Sequence, residues 1–128
     1  MCGIFGYVGT RHDAAKMAVA GLKSLEYRGY DSWGLAWKEG DHLAIRKATG
    51  KISGVDPESL PGDTSLAIGH TRWATHGGVT VSNAHPHLNE ERTIAVVHNG
   101  IIENYQELRD ELKAKGHECV SETDTEVG

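Results

Sequence analysis

The cysteine at position 2 would become the first residue of the chain if Met1 were removed. A thiol attacks as a thiolate, and a free thiol has a pKa of about 8.5. A terminal α-amine has a pKa of about 7.7–8.0, so the amine of Cys2 can act as the base for its own thiol, directly or through a water. Position alone favours the alternative, an incidental cysteine beside the start residue.

Two charged residues, Arg72 and Asp124, could each bind a ligand group of opposite charge. Arg72 follows a predicted strand, and a guanidinium at a strand end suits a bidentate grip on a carboxylate. Asp124 lies in the acidic segment 122–126 and could bind an ammonium. Each has a structural alternative: a surface arginine beside a buried tryptophan, and a helix N-cap.

The pair Asn99-Gly100 follows another predicted strand. Asn-Gly is the commonest two-residue hairpin sequence, but a predicted helix rather than a partner strand comes next. A side-chain amide beside a backbone N–H can form an oxyanion hole, where loss of one donor costs about 10²–10³ in rate. A plain turn is the alternative.

Histidines are frequent, with eight in the chain, and four of them raise the question of a metal site: His76, His85, His87 and His98. No Cys, His or Asp pattern has a recognised zinc spacing, so we expect neither a metal nor a cofactor. The early glycines do not form a phosphate cradle, because no Lys-Ser/Thr pair follows them at the required spacing.

Short strands and single helices must position these groups, which favours a mixed α+β fold. Strands are predicted at residues 3–8, 34–38, 42–47, 65–69, 93–97 and 119–120, and helices at 13–25, capped by Asp13, and at 103–115. A strand that begins at residue 3 would hold Cys2 in a fixed position. The long stretch 70–91 lacks periodicity, and its polar and aromatic content favours a functional loop.

Composition limits the classes of partner. With 128 residues the chain can form one modest domain, and a net charge of −5 argues against nucleic acid. No apolar run approaches the roughly 20 residues that span a bilayer, so no membrane is expected. Two cysteines are too few for a disulfide scaffold, which predicts a cytoplasmic setting.

Taken together, these segments resemble the class II glutamine amidotransferases, which are N-terminal-nucleophile hydrolases. Within that family they are similar to the branch that makes glucosamine 6-phosphate. The matching segments follow the family's order and spacing, at residues 2–9, 25–32, 70–77, 83–87, 97–104 and 121–127.

The resemblance implies roles for the matching residues. Cys2 would be the nucleophile, with its α-amine as base, and Asn99 (side chain) and Gly100 (backbone N–H) would form the oxyanion hole. Arg72 would hold the α-carboxylate of free L-glutamine, and Asp124 its α-ammonium. The mobile loop that closes over glutamine would contain Trp73, Thr75, His76 and Gly77, and Arg28 would lie near the amino terminus in an orienting role.

The resemblance also implies an αββα sandwich fold, of which residues 1–128 would be about the first half, truncated on the C-terminal side. The rest of the domain and the sugar-isomerase domains would be missing, and the full-length enzyme would be a homo-oligomer. Trp33 departs from the family, which usually has a small residue there, and this change in packing could alter the pocket.

Three alternatives remain open. The nearest is the glutaminase of amidophosphoribosyltransferase, whose arginine and turn motifs differ from segments 27–30 and 73–77. Asparagine synthetase fits less well. A non-catalytic interaction module, or an inert fragment, is the alternative from another class.

Overall fold

The predicted α+β class is confirmed by the computed structural model, which describes residues 2–74 and 77–128. The strands are β1 (Gly3–Val8), β2 (Ser32–Glu39), β3 (His42–Thr49), β4 (Leu66–Arg72), β5 (His87–Leu88) and β6 (Ala95–Val96). The helices are α1 (Ala14–Ser24) and α2 (Tyr105–Ala114), with 3₁₀ turns at Glu26–Arg28, Ile52–Gly54, Pro57–Ser59 and Asp124–Val127. None of the described helices is long and apolar enough to cross a membrane.

A four-stranded antiparallel sheet, in the order β1-β4-β2-β3, forms the frame of the fold. Its register pairs Gly3 with Thr71 and Ser32 with Arg72. The start of β1, the start of β2 and the end of β4 therefore lie side by side at one end of the sheet. Cys2 lies at this end of the sheet because it immediately precedes β1.

Helix α1 packs on one face of this sheet through small and aliphatic side chains, all of them buried: Ala14, Ala15, Ala18, Val19 and Leu22. A fully buried leucine contributes about 1.5–3 kcal/mol relative to an exposed one. The approach to β1 is close, since a Cβ atom on Gly21 would lie 2.2 Å from Cδ2 of Phe5. This core holds the sheet in place, and with it the end of the sheet next to Cys2.

Trp33 belongs to the core on the α1 side of the sheet, where it is 4% exposed. The guanidinium of Arg46 lies 5.8 Å from its ring centroid. Its neighbour Gly34 faces the opposite side, because successive side chains of a strand alternate. The departure at Trp33 is thus a change in the helix-side core, and its side chain does not line the cavity described below.

Two local predictions were wrong. Residues 119–120 form no strand, because the backbone N–H groups of Val120 and Ser121 donate to the Glu126 carboxylate, each at 2.7 Å. Asp13 precedes α1 but makes no capping hydrogen bond. Its carboxylate is bound instead by the guanidinium of Arg11, at 2.9 and 2.7 Å.

Candidate active site

A cavity of about 310 Å³ lies at the end of the sheet where β1 starts and β4 ends. Six of the predicted catalytic and glutamine-binding residues line it: Cys2, Arg72, Trp73, Asn99, Gly100 and Asp124. Arg28 and His70 also contribute to its wall. Gly77 does not line it, and Thr75 and His76 lie outside the described residues.

Cys2 is held against the end of β4. The backbone N–H of Trp73 donates to the Cys2 sulfur at 3.2 Å, and the thiol lies 3.6 Å from the Trp73 carbonyl oxygen. One residue on, the N–H of Gly3 donates to the Thr71 hydroxyl at 3.2 Å. A Cβ atom on Gly3 would lie 2.7 Å from that hydroxyl oxygen, so a larger residue would displace the strand. The thiol therefore has a defined place with a backbone donor aimed at it.

Asn99 lies beside Cys2 in the cavity wall. Its Nδ2 donates to the Cys2 carbonyl oxygen at 3.0 Å, and its Oδ1 lies 2.9 Å from Nε2 of His70. Gly100 follows directly, and both residues line the cavity with Cys2. A residue with a side-chain amide and one with a backbone N–H thus line the same cavity as the thiol.

Arg72 supplies positive charge to the cavity although its side chain is only 4% exposed. Its Nη1 donates to the carbonyl oxygen of Gly78 at 2.8 Å, and its Nη2 to that of Gly77 at 3.5 Å. Gly77 has a φ of +77°, a left-handed conformation that suits glycine. The guanidinium is therefore oriented by the loop that follows β4.

Asp124 supplies negative charge to the same cavity and is 7% exposed. Its Oδ2 accepts a hydrogen bond from the backbone N–H of Ile102 at 2.7 Å. The N-cap interpretation was wrong, because Thr123 occupies the N-cap position and Asp124 is the first residue of the turn. Opposite charges on one small cavity complement a zwitterion such as a free amino acid.

Asn83 ties the loop after β4 to the segment that carries Asp124. Its Nδ2 donates to the Gly78 carbonyl oxygen at 2.9 Å, and its Oδ1 accepts from the N–H of Glu122 at 2.7 Å. The same loop is fixed at its start, where the N–H of Ala74 donates to the Asp31 carboxylate at 2.5 Å. These contacts link the surroundings of Arg72 to those of Asp124.

Three histidine rings pack in a row at the cavity wall, which we call the histidine stack: His70 and His85 line the cavity and are stacked at 20°, and His87 is tilted by 58° against His85. The centroids of His70 and His85 are 4.3 Å apart, and those of His85 and His87 are 4.8 Å apart. Burial lowers the pKa of His70 to about 4, that of His85 to about 2 and that of His87 to about 4. All three are neutral at pH 7. In the described ranges, 2–74 and 77–128, no group of three or more His, Cys, Asp or Glu side chains is arranged to hold a metal.

Sequence reasoning missed three contributors to this arrangement: Asp31, His70 and Asn83. A usable signal existed for His70, because strand alternation places it on the same face of β4 as Arg72. Asp31 and Asn83 lie in the matching segments 25–32 and 83–87, but their partners, Ala74 and Glu122, could not be predicted because they are distant in the chain.

The chain matches the family model described as a glutamine amidotransferase domain over residues 35–127, and it belongs to that family. Curated relatives named glutamine–fructose-6-phosphate aminotransferase (isomerizing) include one from Corynebacterium glutamicum, 54% identical over 99% of this chain and 22% of its own length. Another, from Streptomyces coelicolor, is 56% identical over 99% of this chain and 21% of its own length. The chain thus spans about a fifth of these relatives.

Two solved structures share the fold. One is the glutamine phosphoribosylpyrophosphate amidotransferase of B. subtilis with ADP and GMP, with a TM-score of 0.79 and 30% identity over 99% of this chain and 28% of that one. The other is described as the allosteric regulatory enzyme of purine biosynthesis, with a TM-score of 0.82 and 32% identity over the same shares. The predicted N-terminal-nucleophile hydrolase fold is confirmed.

Proposed function

We propose that residues 1–128 are the first part of a domain that hydrolyses the side-chain amide of free L-glutamine to glutamate and ammonia. The observation that carries this proposal is one cavity lined by a thiol, an amide beside a backbone N–H, an arginine and an aspartate. Arg72 would bind the α-carboxylate of glutamine, and Asp124 its α-ammonium. A glutaminyl residue within a peptide would need neither charge.

The chemistry follows from the positions of these groups. After removal of Met1, the α-amine of Cys2 takes the thiol proton, and the sulfur attacks the amide carbon of glutamine. The negative oxygen that forms accepts hydrogen bonds from Nδ2 of Asn99 and the N–H of Gly100. The C–N bond then breaks, the protonated amine gives its proton to the leaving ammonia, and water hydrolyses the γ-glutamyl thioester to glutamate and free thiol.

The name of the curated relatives suggests where the ammonia goes. We propose that it is transferred to fructose 6-phosphate, bound by sugar-isomerase domains C-terminal to this chain, to make glucosamine 6-phosphate. Identities of 54% and 56% to these relatives, against 30% and 32% to the purine enzymes, favour this over the amidophosphoribosyltransferase alternative. A cytoplasmic location and a homo-oligomeric full-length enzyme stay predictions.

The test uses the parent protein, meaning the product of the complete reading frame that contains this sequence. Cys2→Ala should abolish glutamate formation from glutamine without impairing the binding of sugar phosphate. Cys119→Ala is the matched control: Cys119 lies outside the cavity, and burial raises the pKa of its thiol. Intact mass reports whether Met1 has been removed. Glutamine hydrolysis of normal size in Cys2→Ala would refute the proposal.

The proposed truncation has a separate test. The sheet face opposite α1 exposes apolar side chains, with Val8 78% and Ile4 40% exposed, and an apolar groove of about 610 Å³ crosses it. We expect the rest of the domain to cover this face, and the isolated 128-residue chain to be unstable and nearly inactive. Parent-like turnover by the purified chain would contradict this claim.

A further inference from the structure

We infer that His70 is a positioning residue that fixes the amide of Asn99, so that one of its N–H groups is presented to the carbon–oxygen bond under attack by Cys2. The inference rests on the proposed function, since it assigns Asn99 a partner within the oxyanion hole. Neither His70 nor its contact with Asn99 was anticipated from the sequence.

The hydrogen-bond pattern fixes which way the Asn99 amide faces. The Cys2 carbonyl oxygen can only accept, so the Asn99 atom 3.0 Å from it must be the nitrogen. The oxygen of the amide therefore faces Nε2 of His70, at 2.9 Å. Since an amide oxygen can only accept, Nε2 must carry a proton. One Asn99 N–H is used by Cys2, and no acceptor in the described part of the chain takes the other.

The surroundings of His70 hold its ring and its proton in this state. The ring is 1% exposed and lies against His85 at 4.3 Å and 20°, so it has no room to turn. Its Nδ1 is buried and has no hydrogen-bond partner among the described residues, which suits the unprotonated nitrogen of a neutral ring. A proton on Nδ1 instead would leave a buried donor unpaired, which costs free energy.

Loss of the His70 donor would leave the Asn99 amide held by a single hydrogen bond, the one to the Cys2 carbonyl oxygen, so its orientation would be less well fixed. An amide that turns out of this orientation no longer presents its second N–H to the developing negative charge, and that stabilisation is lost. The α-carboxylate and the α-ammonium of glutamine would still be held by Arg72 and Asp124. The expected effect is thus on kcat and not on KM.

The experiment is His70→Phe in the parent protein, which keeps an aromatic ring in the stack and removes the donor. We expect kcat for glutamine hydrolysis to fall about 10- to 100-fold with KM nearly unchanged. The rate of Cys2 alkylation by iodoacetamide should not change, because that displacement forms no oxyanion. His70→Gln restores an N–H donor and should recover much of the lost kcat. Equal losses in the Phe and Gln variants would overturn the inference.

The matched comparison is His85→Phe, which makes the same change in the adjacent ring without removing a hydrogen bond to Asn99. Its loss of kcat should be much smaller than that of His70→Phe. A loss of equal size would show that the stack, and not the hydrogen bond, is what matters, and would also overturn the inference.

A double-mutant cycle separates this inference from the proposed function. Asn99→Ala should lower kcat by about 10²–10³. On that background His70→Phe should cost nothing further, because His70 acts only through Asn99. If Asn99→Ala keeps its kcat, the oxyanion hole of the proposed function is wrong. If Asn99→Ala is impaired but His70→Phe lowers kcat equally in both backgrounds, the proposed function stands and the role of His70 is overturned.

Discussion

A Cβ atom on Gly34 would lie 1.9 Å from the carbonyl oxygen of His85. Strand β2 therefore passes directly beneath the backbone of His85, the middle residue of the histidine stack. We expect Gly34→Ala to destabilise the parent protein by about 1–3 kcal/mol or more, because backbone must move to admit the methyl group. Thermal unfolding of the glutaminase portion measures this. Gly54→Ala is the control, since nothing lies within 4 Å of that position, and equal stability of the two variants would contradict the prediction.

Replacement of Arg72 tests whether this residue binds the α-carboxylate of glutamine, as proposed. Arg72→Lys keeps the charge but loses the planar fork, so we expect KM for glutamine to rise about 10- to 100-fold while kcat changes little. Steady-state kinetics of glutamate release measures both constants. Arg46→Lys, on the Trp33 side of the sheet, makes the same change away from the cavity and should leave KM as it was. An unchanged KM in Arg72→Lys would remove that residue from the binding site.

Asp124→Asn tests whether Asp124 binds the α-ammonium of glutamine, as proposed. The new amide still offers an oxygen to the N–H of Ile102, so the local structure should persist. We expect KM for glutamine to rise by about 10-fold or more, while that for 4-carbamoylbutanoate, which lacks the α-amine, stays the same. The ratio of the two KM values is the readout, and Asp110→Asn on helix α2 is the control. If Asp124→Asn still prefers glutamine to 4-carbamoylbutanoate as the unchanged protein does, Asp124 does not bind the α-amine.

The histidine stack predicts a stability that depends on pH. Burial lowers the pKa of His70 and of His87 from the usual 6.5 to about 4. Between those values the unfolded chain binds protons that the folded chain excludes. The stability is therefore complete above pH 6.5 and declines as the pH falls towards 4.

The measurement is thermal inactivation of glutamine hydrolysis in the parent protein at pH 7.5 and pH 5. We expect a lower midpoint at pH 5, and a smaller difference in His85→Phe, because this variant removes one of the groups that must stay neutral. The pKa of His85 is lowered by burial and by its histidine neighbours. Equal midpoints at the two pH values in the unchanged protein would contradict the prediction.

The sequence predicts those parts of the fold whose patterns are local. Helix α1 and the β2–β3 hairpin were expected at residues 13–25, 34–38 and 42–47, and they occur at Ala14–Ser24, Ser32–Glu39 and His42–Thr49. The segment 119–120 looked like a strand, and it failed because Glu126 takes the N–H groups that a neighbouring strand would have bound. A competing acceptor of that kind depends on how the chain folds back.

The candidate site likewise has a part that local sequence patterns predict and a part that they do not. Cys2, Arg72, Asn99 and Asp124 were identified because each stands in a recognisable segment, and they line one cavity. The contacts that orient them were not predictable. His70 meets Asn99 across 29 positions of the chain, and Asn83 meets Glu122 across 39. Such pairings depend on the register of the sheet and the course of its loops, which single-sequence patterns do not determine.

The pairing of β1 with β4 has a consequence for how the protein is made. Within the described part of the chain β1 hydrogen-bonds to no other strand, and Gly3 is matched with Thr71. Strand β1, with Cys2 directly before it, therefore has no partner strand until the ribosome has passed Thr71, which takes on the order of 10 s at ordinary translation speed. A peptidase that trims the initiator methionine would meet an unfolded terminus during this interval. Asn99 and Asp124 emerge later still, so we expect trimming to be complete before the thiol is enclosed.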